Sequence, residues 1–325
     1  MKTLSIFLGI SLGVTLTTQA KKTQSARTEA STPEAQLAGF ELQEGFVAEL
    51  VASEKDGVIN PIDLSFDDSG RLWTQTARMY PLDPVKDIQW NVLLKLMDDP
   101  AAQDKNPEFK RIKDLYQGRT RGEDEILVLS GIYPGQKIKT KTFASGLTIP
   151  QSLIPYRNGV YVAQGSEFFY LNDTNNDGKS DKRVPVLTGF GFTDTHTMAH
   201  CMVRGPGGWI HFTQGALNKG NITAVRSGQS ARMDYSKCAK FSLDGNKIEV
   251  INAGLNNIWG YTMQANGQWY GTEANDQSWS VVPMEEQTGY RGIGNERLRP
   301  YQPQFPNLHK FQRKKRSRSF QRSFL

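Results

Sequence analysis

Residues 150–165, PQSLIPYRNGVYVAQG, read as two short strands joined by a tight turn, and this unit indicates the fold class. Apolar and small residues lie on both sides of Asn158 and Gly159, a dipeptide typical of hairpin turns. The same arrangement returns three times along the chain, with its turn glycine at Gly70, Gly208 and Gly267. A recurring hairpin of this kind predicts an all-β chain built from repeats.

A second recurring phrase precedes the hairpins. It is a strand that ends in glycine followed by an apolar residue, and it occurs at residues 143–147, 186–190 and 251–255. Two phrases in phase predict a β-propeller over residues 39–309, and a β-sandwich with chance similarity is the alternative. Alternation over residues 46–51 predicts a first strand. Residues 84–120 instead show apolar positions at helical spacing, which predicts a helical insertion over one face.

Residues 173–181, DTNNDGKSD, have the composition of a calcium loop. Oxygen-bearing side chains occupy positions 1, 3, 5 and 9, and a glycine stands at position 6, where the backbone must turn sharply. The flanking residues alternate like strands, and Val184 stands where an EF-hand needs glutamate, so we expect the loop to join two strands. A metal-free Asx turn is the alternative. The predicted ligands are Asp173, Asn175, Asp177, Lys179 and Asp181.

Both ends of the chain differ in composition from its middle. Residues 1–20 carry a lysine, an apolar run and small residues, which predicts a secretory signal, export to the periplasm or medium, and no membrane span after cleavage. Residues 21–38 read as a flexible leader. The basic residues 310–325 are either a tail for anionic partners or the product of a frameshift. The rest of the chain is slightly acidic, so we expect no nucleic-acid binding.

Two cysteines, Cys201 and Cys238, are the whole complement of the chain. In an exported protein they could form one disulfide, and two small buried core residues are the alternative.

Several of these phrases together resemble a known family. They are GFELQEGFVAELVASE at residues 39–54, PIDLSFDDSGRLWTQTARMYP at 61–81, the loop at 173–181, LTGFGFTDTHTMAH at 187–200 and RGPGGWIHFTQG at 204–215. They resemble the membrane-bound dehydrogenase domain of planctomycete-type bacteria. That domain is similar to soluble glucose and sorbosone dehydrogenases, which are six-bladed propellers that use pyrroloquinoline quinone. The resemblance implies four to five blades within this chain.

The resemblance also implies a site, from which this sequence departs at two positions. The family's catalytic histidine lies eight residues before a Gly-Pro turn, where this chain has Thr197, close to His196 and His200. Asp194 is placed to orient the ring of His196 as a base, and a hydrogen-bonded structural histidine is the alternative. The family's quinone-binding arginine is replaced by Asn256.

A third residue, Arg78, lies where a propeller would open its central mouth, and it either lines the pocket or forms a surface ion pair. The implied function is quinone-dependent oxidation of a sugar or polyol, with a cytochrome c domain as the electron-accepting partner. The alternative is a propeller that binds a glycan or a protein without catalysis.

Overall fold

A computed structural model describes residues 32–253, 257–274 and 279–282. The chain divides into two compact units, Met1–Leu50 and Val51–Leu325. In the described part of the first unit, helix α1 (Pro33–Ala38) begins at Thr32, whose hydroxyl accepts a hydrogen bond from the backbone N–H of Ala35. The predicted leader therefore ends in a short helix, all of it at least partly exposed to solvent.

The prediction of a strand over residues 46–51 is wrong. No strand is present there among the described residues, and Phe46 and Val47 are 69% and 84% exposed. Alternation of side chains makes a strand only where a neighbouring strand satisfies its backbone. The described residues provide none at this segment.

The second unit is mostly β, with seventeen described strands in four antiparallel sheets. The first sheet has the order β1 (Leu64–Phe66), β2 (Leu72–Gln75), β3 (Asp124–Ser130) and β4 (Lys139–Leu147). The second begins with β5 (Ser152–Tyr156), β6 (Gly159–Gln164), β7 (Glu167–Asn172) and β8 (Lys182–Thr188). Each is a meander in which successive strands pair, as the recurring hairpins predict.

The third and fourth sheets are also antiparallel. The third contains β9 (His200–Gly205), β10 (Trp209–Gln214), β13 (Lys237–Ser242) and β14 (Ile248–Ala253). The fourth contains β15 (Ile258–Met263), β16 (Trp269–Glu273) and β17 (Trp279–Val282). The third pairs β10 with β13, and the fourth is a meander of three described strands. Hairpin β11 (Lys219–Ala224) and β12 (Ser230–Asp234) follows β10 in sequence but extends the second sheet by pairing with β8.

The turn glycines serve two different physical purposes. Gly208 has a φ of 77°, in the left-handed region that residues with a Cβ rarely adopt. Gly159 instead lies where β7 passes close by, and a Cβ there would sit 2.1 Å from the carbonyl oxygen of Leu171. A side chain at residue 159 would therefore push β6 and β7 apart.

Successive sheets pack face to face in chain order. Val160 and Val162 of β6 join one apolar cluster with residues of the first sheet, such as Trp73. Tyr161 and Ala163 of the same strand join a second cluster with residues of the third sheet, such as Phe212. A third cluster lies between the third and fourth sheets. Because side chains of a strand alternate between its two faces, β6 contributes to two cores at once.

A partly buried polar link also joins the sheets. The carboxylate of Asp63, just before β1, accepts hydrogen bonds from the Ser152 hydroxyl at 2.6 Å and from the Leu153 backbone N–H at 3.0 Å. The Ser152 hydroxyl in turn accepts from the Met202 backbone N–H at 2.9 Å, so the link reaches the third sheet. Burial outweighs these hydrogen bonds and raises the pKa of Asp63 to about 6.

Three helices occupy the segment for which helical spacing predicts an insertion. They are α2 (Trp90–Met97), α3 (Pro100–Gln103) and α4 (Pro107–Tyr116). The rings of Phe109 and Tyr116 on α4 lie 4.7 Å and 5.4 Å from the ring of Phe192. Phe192 belongs to the connection between β8 and β9, so the helices pack directly against that connection.

Strand order decides the open question of the two cysteines, which are both free thiols. Cys201 lies on β9 and Cys238 on β13, with β10 between them. Two strand spacings amount to about 9–10 Å. A disulfide needs Cα atoms about 4.4–6.8 Å apart, so these residues do not pair in this arrangement.

We expect the native protein to react slowly with a thiol reagent such as 5,5′-dithiobis(2-nitrobenzoate). Burial raises the pKa of both thiols, that of Cys238 to about 12, so neither is a thiolate at neutral pH. Unfolding in guanidinium without a reductant should release two thiols per chain. A value near zero would contradict the strand arrangement, and the Cys201→Ser variant, which should give one, is the control.

Candidate functional site

The connection between β8 and β9 carries the most exposed histidine of the described residues. Asp194 caps a short 3₁₀ turn, Thr195–Thr197, and its carboxylate accepts the backbone N–H of His196 at 2.9 Å. The same oxygen lies 2.9 Å from Nδ1 of the His196 ring, whose side chain is 54% exposed. An N–H on Nδ1 donates to this carboxylate, which leaves the lone pair of the neutral ring on Nε2.

Two further side chains reach the same place from the connection after β2. The Tyr80 ring stands edge-on to the His196 ring, with centroids 5.3 Å apart. One ligand atom from each of Asp83, Asp194 and His196 lies within 4.8 Å of the others. Burial, followed by the charges of Asp194 and Asp83, raises the pKa of Tyr80 to about 12, so the phenol is neutral. These four residues are called the His196 site below.

The connection is held from several sides. Gln151, just before β5, donates from its amide to the Thr195 carbonyl oxygen at 2.5 Å. The indole N–H of Trp259, on β15, donates to the carbonyl oxygen of His196 at 3.1 Å. Asn218, just before β11, binds the backbone of Asp194. The second, third and fourth sheets therefore all contribute to the position of His196.

The structure separates the two candidate catalytic histidines. His200 is fully buried, and its ring nitrogens lie 2.5 Å and 2.6 Å from the carbonyl oxygens of Met198 and Ile258. Burial lowers the pKa of His200 to about 4, although both carbonyls oppose this shift. A neutral imidazole has one N–H and donates to one of these oxygens. His200 is enclosed by backbone, and His196 is the histidine that solvent reaches.

The two described residues that are expected at a quinone, Thr197 and Arg78, each have other partners. Thr197 is 5% exposed, and its hydroxyl accepts a hydrogen bond from the Asn218 amide at 2.8 Å. Arg78 donates to Thr76 and lies 3.3 Å from the Glu125 carboxylate, which is the ion-pair alternative that the sequence left open. Asn256 lies outside the described residues.

The predicted calcium loop joins β7 to β8, so it does stand between two strands. Its carboxylates accept hydrogen bonds from the loop itself. Asp173 accepts the backbone N–H groups of Asp177 and Gly178 at 3.1 and 2.8 Å, and Asp177 accepts that of Lys179 at 2.8 Å. Asp181 accepts the hydroxyl and the backbone N–H of Thr174. The one described group of three His, Cys, Asp or Glu side chains within 4.8 Å is at the His196 site instead.

The loop also contacts its neighbours. The backbone N–H of Ser180 donates to the Phe143 carbonyl oxygen of β4 at 2.7 Å, which ties the second sheet to the first. Within the second sheet, the Asn158 amide donates to the Asn176 side chain at 2.8 Å. Gly178 has a φ of 86°, as expected for the sharp turn. The loop therefore connects the second sheet to the first, and it lies apart from His196 in the sequence.

Sequence reasoning paired His196 with Asp194 but missed Asp83, Gln151 and Asn218. These three reach the site from other connections, and Asp83 is 112 residues from the Thr195 hydroxyl that donates to it. Such contacts leave no local pattern in a single sequence. The one available signal was position, because each follows or precedes a strand of a recurring hairpin.

The His196 site combines a proton acceptor with two carboxylates and a neutral phenol. Nε2 of His196 can take a proton from a bound hydroxyl, and Asp194 stabilises the imidazolium that results. Carboxylate oxygens accept hydrogen bonds from hydroxyl groups. The site therefore has the chemistry to bind a polyhydroxylated ligand and to accept a proton from it.

Comparisons with known proteins place the chain in a family. It belongs to the family described as Domain of unknown function (DUF7133), whose model matches residues 32–321. No curated protein sequence matches the chain. In the described residues no helix has the length and apolar character that a membrane crossing requires.

Solved structures similar to the chain include the holo form of the pyranose dehydrogenase PQQ domain from Coprinopsis cinerea. It shares 14% identity at a TM-score of 0.45, over 78% of this chain and 56% of that one. The calcium structure of Trichoderma reesei carbohydrate-active enzymes family AA12 shares 11% identity at a TM-score of 0.42, over 81% and 61%. This chain thus spans about three fifths of their length.

We expect diethyl pyrocarbonate, which acylates neutral imidazole, to modify His196 well before the buried His200 and His211. His196 is 54% exposed, whereas His200 and His211 are 0% and 3% exposed. Peptide mapping by mass spectrometry after brief treatment at pH 6–7 measures each site. Equal rates at His196 and His200 would contradict the placement of the two rings, and the His196→Gln variant is the control.

Proposed function

We propose that the four sheets are successive blades of a β-propeller, of the six-bladed type that the sequence resemblance implies. Face-to-face contact between consecutive meanders supports this proposal, because a propeller stacks its blades radially in chain order. On this proposal, the connections that carry Asp83, Gln151, His196 and Asn218 lie at one end of the blades.

We further propose that the His196 site oxidises a hydroxyl group of a sugar or polyol. His196 takes the hydroxyl proton on Nε2, and Asp194 holds the ring and balances its charge. A two-electron acceptor of the quinone class, supplied from solution as a co-reactant, takes the hydride from the carbon. The products are the carbonyl compound, the reduced acceptor and a protonated His196. The observation that carries the proposal is the 2.9 Å contact of an exposed imidazole with a carboxylate on its Nδ1 side.

The quinone itself does not fit the described residues. Pyrroloquinoline quinone carries carboxylates, which call for cationic partners. The described side chains at His196 are Tyr80, Asp83 and Asp194, which are neutral or negative, and Arg78 is engaged with Glu125. We therefore assign no quinone contact to the described residues, and the acceptor in the proposal is a co-reactant.

The acidic character of the site favours a second candidate function, which is glycan binding without turnover. Carboxylates beside an aromatic ring are a common arrangement for holding sugar hydroxyls. This function needs neither the acceptor nor the base. The two candidates differ in whether bound sugar is oxidised and in whether His196 is needed.

The first experiment offers the purified protein a panel of sugars and polyols, with calcium, added pyrroloquinoline quinone and a reducible dye. We expect dye reduction that falls at least about 10²-fold in the His196→Gln variant, since a positioned base contributes about 10²–10⁴-fold. The control is Lys141→Gln, at an exposed lysine on β4. Binding by calorimetry without dye reduction, unaffected by His196→Gln, would replace the first candidate with the second.

We also propose that residues 173–181 bind calcium and strengthen the contact between the first two sheets. The loop holds three carboxylates within nine residues, and each carboxylate oxygen retains acceptor capacity beside the hydrogen bonds described. A cation would relieve their mutual repulsion. The ion would be structural, because the loop contacts β4 and not His196.

Calcium at a hundred times its dissociation constant should stabilise the protein by about 2.7 kcal/mol, since ligands that bind only the native state add this much. The measurement is the Tm with calcium and with a chelator. Asp177→Asn should abolish the difference, whereas Asp68→Asn, at a side chain 91% exposed, should retain it. An identical Tm in calcium and chelator would remove the proposal.

Export of the protein and electron transfer to a cytochrome c domain or protein are also proposals. Export rests on the sequence of residues 1–20, which lie outside the described residues. The cytochrome partner rests on the sequence resemblance alone.

A further inference from the structure

Asn218 is a fully buried amide that makes an unusually complete set of contacts with one short connection. It follows β10 and immediately precedes β11, and it is 0% exposed. Its Oδ1 accepts the backbone N–H and the hydroxyl of Thr193, each at 2.7 Å. Its Nδ2 donates to the Asp194 carbonyl oxygen at 3.0 Å and to the Thr197 hydroxyl at 2.8 Å.

These contacts reach both peptide groups of Asp194. Besides the carbonyl oxygen, the backbone N–H of Asp194 lies 3.4 Å from Oδ1 of Asn218. Holding the peptide groups before and after a residue fixes the direction of its side chain to within its own rotamers. For Asp194 that direction is toward Nδ1 of His196.

Asn218 is itself anchored. Its backbone carbonyl oxygen accepts from the Gln214 amide at 3.1 Å and from the Tyr235 N–H at 2.8 Å. The chain can approach the site closely because glycines line the crossing. A Cβ on Gly191 would lie 2.6 Å from the Lys219 carbonyl oxygen, and one on Gly220 would lie 2.0 Å from that of Gly189.

The chemistry of these contacts matches an asparagine side chain and few others. Aspartate has the same shape but no donor for the Asp194 carbonyl, and leucine has neither donor nor acceptor. Glutamine carries the same amide one methylene farther from the backbone. A buried amide with all its groups satisfied holds its neighbours rigidly, and each lost contact leaves a buried partner unpaired.

We propose that Asn218 is the positioning residue of the His196 site. It acts through Asp194, by fixing the carboxylate that orients the His196 ring, and it touches neither His196 nor a ligand. This inference rests on the proposed role of His196. A positioning role of Asn218 can be rejected without rejecting the proposed role of His196.

The main variant is Asn218→Asp, and the matched control is Asn221→Asp, at an exposed asparagine on β11, the strand that Asn218 precedes. We expect Asn218→Asp to lower kcat at least about tenfold, since small misplacements at a reacting group are costly, with KM changed less than about threefold. The control should leave both unchanged. An equal effect of the two variants would overturn the inference.

A double-mutant cycle separates positioning from general loss of structure. If Asn218 acts through Asp194, the double variant Asn218→Asp, Asp194→Asn should have the kcat of Asp194→Asn alone, because coupled residues are not additive. Losses that multiply would overturn the inference. Should Asn218→Asp fail to reach the wild-type Tm, Thr193→Val removes one of the contacts to Oδ1 and should give a smaller loss in the same direction.

A second measurement does not need turnover. The rate at which diethyl pyrocarbonate modifies His196 should fall at least about threefold in both Asn218→Asp and Asp194→Asn, because Asp194 would no longer hold the proton on Nδ1 and keep the lone pair on Nε2. The double variant should have the same rate as Asp194→Asn alone. The Asn221→Asp rate should equal the wild-type rate. Coupling in this assay without any sugar oxidation would retain the positioning role and reject the proposed function. Oxidation without coupling would reject the positioning role alone.

Discussion

Strand β6 is buried on both of its faces, and this burial holds the successive sheets together. Every residue of β6 is buried, with Val160 and Val162 in one core and Tyr161 and Ala163 in the next. A strand of this kind cannot be stable in a single sheet, because removing either neighbour would expose about half of its side chains. The sheets must therefore follow one another face to face. The connections at their ends are then brought together at positions that the cores decide.

This constraint also explains what could be read from the sequence. The hairpins are local, and their turns need glycine either for a left-handed φ or for a close approach of the neighbouring strand, so they were predictable from short phrases. Apolar spacing likewise revealed the helices. The pairing of β11 with β8 was not predictable, because it joins residues that are distant in sequence. Residues 46–51 show the opposite error, since they alternate but have no described partner strand.

The candidate site likewise contains some residues that the sequence predicts and others that it does not. Asp194 and His196 are two residues apart, and a sequence suffices to suggest their hydrogen bond. The choice between His196 and His200 depended on which of the two side chains is buried. A single sequence does not decide this, because a shift of one residue in the register of a strand exchanges its buried and exposed side chains. Asp83 and Asn218 were beyond reach, because they meet the site only after the sheets have packed. Asp83 adds a second carboxylate to the pair that the sequence predicts.

The hairpin β11–β12 couples the unfolding of the second sheet to that of the third. It is part of the third sheet by sequence, since it connects β10 to β13, but its backbone hydrogen bonds are made with the second sheet through β8. Neither sheet can open without disturbing the other, so local unfolding should treat the pair as one cooperative unit. Asn218 stands at the start of that hairpin. The geometry around His196 is therefore maintained by the cooperativity of two sheets and not by the stability of one loop.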